Sequence, residues 1–102
     1  MKPRATAAAL PEHLRATYNL LQATFPQGID RDAYLPLLAL LGEELSDRNL
    51  AQLVACAFGI DYERAINDIY RARSTDAPSL EAVDKVKQRL IPYGYENWLR
   101  DQ

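Results

Sequence analysis

Apolar and polar positions along this chain repeat with the period of an α-helix in five successive stretches. Leu10, Leu14, Tyr18, Leu21 and Phe25 recur at spacings of four and three, which puts them on one stripe able to face a core. This first predicted helix begins at Pro11, a residue tolerated there because its missing N–H would be unpaired anyway. Pro26 ends it, and Gly28 allows the chain to reverse. Asp30 then stands at an N-cap position, with Asp32 near the positive end of the second helix. Pro36 removes a backbone donor and crowds the carbonyl four residues earlier, so a kink or a short turn is expected before a helix proper starting near Leu35. Leu35, Leu37, Leu38, Leu40 and Leu41 follow, apolar on nearly every face, and this places the segment in the middle of the core. Gly42 begins its exit.

Ser46 is the clearest cap, flanked by Leu45 and Leu50 at the spacing of a hydrophobic staple. Leu50, Leu53, Val54, Ala57 and Phe58 form the apolar face of the third helix, which Gly59 closes in a left-handed conformation. Asp61 caps the fourth helix after a very short turn, and Ala65, Ile66, Ile69 and Tyr70 are its expected buried side. A polar loop from Arg73 to Pro78 leads to Ser79, another cap, and to a fifth helix marked by Leu80, Val83, Val86 and Leu90. Glu81 and Lys85 sit on its outer face, and Pro92 ends it. With no strand-like alternation and no internal repeat, the pattern predicts an all-α fold, a single compact bundle of five helices spanning residues 1–102. Residues 1–9 read as a frayed lead-in and residues 93–102 as an aromatic tail.

Composition narrows the class without naming a function. The chain of 102 residues is 48% hydrophobic and 25% charged, enough for one core and too short for two. A net charge of −2 gives no general pull toward nucleic acid or anionic lipid. The start lacks the apolar stretch of a secretory signal, and the longest apolar run is far below the ~20 residues needed to cross a bilayer, so no membrane association is expected. Cys56 alone cannot form an internal disulfide, which suits the cytoplasm.

Phe25-Pro26-Gln27-Gly28 followed by Asp32-Ala33-Tyr34-Leu35-Pro36-Leu37-Leu38-Ala39-Leu40-Leu41, then Leu45-Ser46-Asp47 and Pro78-Ser79-Leu80-Glu81, resembles a domain-of-unknown-function family of short actinobacterial proteins. The likeness runs from about Leu10 to Tyr95 and implies a five-helix bundle, with no activity or site residue to carry over. Two places depart from that family's usual pattern: Asp30 stands where a proline is usual, and Gly94-Tyr95-Glu96 where a Gly-Trp-Pro ending is usual.

Candidate chemistry is sparse. His13 lies beside Glu12 in an exposed first turn, and no zinc-ligand spacing or cofactor motif accompanies it. Cys56 falls among Val54, Ala55, Ala57 and Phe58, the setting of an inert core thiol. Glu43, Glu44 and Asp47 flank a cap and a helix start, where negative charge has a structural reason. No metal, no cofactor and no catalytic residues are assigned, and an enzyme is not expected.

Two readings of function remain. The first is a non-catalytic protein-interaction module whose partner surface is Tyr93, Tyr95 and Trp98, residues that otherwise close the end of the core against the first helix. The alternative is a nucleic-acid-binding module in which the third and fourth helices form a helix-turn-helix-like pair, with Arg64, Arg71 and Arg73 as contacts. Two observations weigh against the alternative. Ile66 is a stronger apolar anchor than Ala65, where that motif would need one, and Glu43 to Tyr70 holds two arginines against six carboxylates.

Overall fold

Six α-helices, rather than five, carry the described part of the chain, residues 10–102 of a computed structural model. They are α1 (Arg15–Thr24), α2 (Arg31–Leu41), α3 (Asp47–Phe58), α4 (Tyr62–Arg73), α5 (Leu80–Leu90) and α6 (Tyr95–Arg100). A 3-10 turn, Glu12–Leu14, precedes α1, and a second, Ile91–Tyr93, joins α5 to α6. The expected frayed lead-in, residues 1–9, lies outside the described residues. Among the described residues there is no strand, and no helix is long and apolar enough to cross a membrane.

Five of the helices close into a ring. α1 packs on α3, α3 on α4, α4 on α2, α2 on α5, and α5 on α1, while α6 lies against α1. Each member therefore has two principal neighbours, which explains why α2 is apolar on so many sides: Ala33, Pro36, Leu37, Leu38, Leu40 and Leu41 are all buried. Full burial of one such leucine stabilises the fold by about 1.5–3 kcal/mol.

Local chemistry explains most helix ends. The Ser46 hydroxyl accepts from the Asn49 amide, the Asp61 carboxylate from the amides of Glu63 and Arg64, and the Ser79 hydroxyl from the Ala82 amide. Gly59 ends α3 at φ 69°, a left-handed conformation that a side chain would strain. The helix at Pro36 differs from its expected form: α2 is helical from Arg31 onward, with the proline buried inside it, instead of starting near Leu35. Asp30 occupies the N-cap position, yet its carboxylate does not cap; it accepts from the Arg89 guanidinium at 2.9 Å, and only its backbone carbonyl serves α2. That same guanidinium lies 4.6 Å from the ring centre of Phe25, which meets Phe58 edge-on at 6.1 Å.

Two apolar assignments move. α4 buries Ala65, Asp68, Ile69 and Ala72, with Ile66 half-buried against the same core, and leaves Tyr70 exposed. The small side chains at Ala65 and Ala72 let α4 approach α2 and α3 closely, and Tyr70 stands on the flank. Leu80, the first residue of α5, is 88% exposed because it lies ahead of the packed part of that helix, where Val86 and Leu90 are buried.

Candidate functional site

The tail folds back because Trp98 has both an apolar body to bury and a donor to satisfy. Gly94, at φ 105°, lets the chain turn from the 3-10 segment into α6, which sets Tyr95 and Trp98 inward with their rings 5.7 Å apart. The Trp98 indole N–H donates to the Thr17 hydroxyl of α1 at 2.6 Å. Tyr95 and Trp98 are buried, so the three tail aromatics do not form one exposed surface as the interaction reading expects. Tyr93 alone remains outside, 54% exposed. It forms one lip of a groove of about 350 Å³ whose walls include Ala16 and Leu20 of α1, together with Trp98 and Asp101. Thr17 was missed in the sequence because it is polar, although it stands three residues after Leu14 and four before Leu21, on the core stripe itself. Burial, with Glu44 and Glu43 nearby, pushes the Tyr95 hydroxyl above the usual tyrosine range.

The arginines of the nucleic-acid reading are already engaged. Asp68 is buried on α4 and collects three partners: the Tyr34 hydroxyl of α2 at 2.8 Å, Arg71 at 3.0 Å and Arg64 at 3.7 Å. Arg71 also donates to Asp76 at 2.9 Å, and Arg73 pairs with Asp47 at the start of α3. A phosphate would have to compete with these carboxylates for every one of the three cations. Anchor size does not weigh against a helix-turn-helix, however: Ala65 is fully buried and Ile66 is not, so the fourth helix does bury the position that the motif would need. The signal for a buried Asp68 lay in its spacing, four residues after Arg64 and three before Arg71. Burial, followed by the hydrogen bond to Asp68, drives the Tyr34 hydroxyl far above its ordinary range.

A second, larger groove of about 540 Å³ runs between the start of α2 and the length of α5. Its rim mixes the carboxylates of Asp30, Asp32 and Glu81 with the cations Lys85 and Arg89, over a floor that includes Val86. Arg89 holds the Asp30 carboxyl below its usual range. No sequence motif marked this groove, because its residues come from two helices far apart in the chain.

The remaining candidates stand apart from both grooves. His13 is exposed in the 3-10 turn before α1, and Cys56 is half-buried on α3, where burial pushes its thiol up and away from the thiolate form. Glu43 and Glu44 are exposed in the turn between α2 and α3, and Asp47 is taken by Arg73. Among the described residues, no three histidine, cysteine or carboxylate side chains gather as a metal site would require.

No curated protein and no solved structure matches the chain. A family model described as a protein of unknown function (DUF3349) matches residues 12–98, from the turn that opens α1 to the tryptophan that closes the core. That match takes in all of the helical ring, and the chain belongs to the DUF3349 family.

Proposed function

We propose that this protein is a small non-catalytic protein-interaction module, and that its docking surface is the groove beside Tyr93. The observation that carries this reading is the position of Tyr93, more than half exposed at the lip of a groove backed by Leu20 and Trp98. A tyrosine held there by a 3-10 turn offers a partner a large, rigid, amphipathic contact at low entropic cost, as hot-spot residues do. The module works in the cytoplasm, a setting that suits its single half-buried thiol. The resemblance carried by Phe25 to Leu41 points to an actinobacterial source.

The test compares partners retained from native lysate by the immobilised full chain and by its Tyr93→Ala variant, with thermal unfolding as a control for folding. The expected result is loss of at least one specific partner with an unchanged melting temperature. Retention of every specific partner by the variant removes this groove from the reading.

A further inference from the structure

Guanidinium, carboxylate and aromatic ring already meet once in this fold. Arg89 stands 4.6 Å from the ring centre of Phe25 while it donates to the Asp30 carboxylate at 2.9 Å. The groove beside Tyr93 presents a ring and a carboxylate as well, and no cation is among its lining residues. Tyr93 is its exposed lip, and Asp101 lines it with a carboxylate that makes no ion pair among the described residues. The cation next in the chain, Arg100, turns to Asn97 at 2.9 Å instead. Asn19 adds an exposed side-chain amide to the α1 wall, and Ala16 and Leu20 give that wall an apolar strip.

We propose that this groove takes an arginine side chain from its protein partner, a specificity that rests on the docking role of the groove. The guanidinium plane stacks on the Tyr93 ring, its N–H groups donate to Asp101, and its methylene stem covers Ala16 and Leu20. An aliphatic side chain would strip water from Asp101 and Asn19 without bonding either, and an acidic one would meet Asp101 with like charge. Lysine carries the charge and the stem but has neither the plane nor the fork of donors, so it fits less well.

Chemical shifts of the isotope-labelled full chain test the assignment, because Trp98 is the single tryptophan and its indole N–H gives one signal at the groove. The probes are the blocked peptide acetyl-Gly-Arg-Gly-amide and the same peptide with lysine or the neutral isostere citrulline in place of arginine. The expected result is saturable, millimolar binding of the arginine peptide at Asn19, Tyr93 and Trp98, weaker by about threefold with lysine and about tenfold with citrulline. Asp101→Asn and Tyr93→Ala should each weaken it about fivefold, while Tyr93→Phe binds as the parent does, all with unchanged melting curves. Absence of saturable shifts at the groove, equal binding of either substituted peptide, or an Asp101→Asn or Tyr93→Ala chain that binds as the parent does overturns the assignment. A lysate partner lost with Tyr93→Ala while the arginine peptide fails to bind would mean that the groove docks a different chemistry. Arginine binding with no partner lost would instead remove the docking role and leave the arginine site.

Discussion

Trp98 and Thr17, 81 positions apart in the chain, are joined by a buried hydrogen bond from the indole N–H to the hydroxyl. The bond ties the last helix to the first and holds α6 against the ring. Replacing the acceptor, Thr17→Val, keeps the shape of the side chain and leaves a buried donor unpaired, at a cost of about 1–3 kcal/mol. Trp98→Ala removes the ring as well and should cost about 3–5 kcal/mol. Denaturant unfolding measures both, and a Thr17→Val variant as stable as the parent would show that the bond contributes nothing net.

Leu38 and Leu41 sit at the centre of the ring, 1% and 0% exposed. Truncation of either to alanine should cost about 2–5 kcal/mol, the spread reflecting how far the surrounding side chains collapse into the space. Unchanged melting temperatures in both variants would mean that the core has been misplaced.

Gly42 is required for a reason other than backbone freedom. Its φ of −65° suits any residue, but a Cβ there would lie 2.8 Å from the Leu38 carbonyl oxygen, with the Arg73 guanidinium 3.4 Å away. Because the closer atom belongs to the backbone, Gly42→Ala should destabilise by about 1–3 kcal/mol, as overpacking does. A neutral substitution would show that the end of α2 shifts without strain.

Tyr34 makes stability depend on pH at the alkaline end. Its hydroxyl is held neutral in the folded protein well above the ordinary tyrosine value of about 10, by burial and by Asp68. The unfolded chain therefore releases this proton first, so the contribution is complete below pH ~10 and declines as pH rises beyond it. Tyr34→Phe should flatten that decline relative to the parent, although it loses the bond to Asp68 at every pH. Unfolding free energies measured from pH 8 to 11 settle the point: parallel slopes for the two proteins would exclude Tyr34 as a source.

The caps and periods were legible in the sequence because they act over three or four residues. Ser46, Asp61, Ser79 and Gly59 each perform the role that their local pattern predicts. Asp30 shows the limit of that logic: its position is a cap position, but a guanidinium 59 residues away competes for the carboxylate and wins. The candidate surface was less legible. Tyr93, Tyr95 and Trp98 are equally aromatic in the sequence, and only the turn at Gly94 and the hydroxyl of Thr17 separate the one that stays outside from the two that are buried.

The sequence by itself determined that this chain is helical, where most helices start and stop, and that the leucines of α2 are its centre, since these follow from periodicity and from the needs of free backbone amides. Tertiary structure alone decided which flank of α4 is buried, that Asp68 binds Tyr34 and two arginines, and that the tail forms a sixth helix against α1. Those outcomes depend on which side chains meet across elements distant in sequence, and a helical period constrains a stripe to within one residue without naming what it will face.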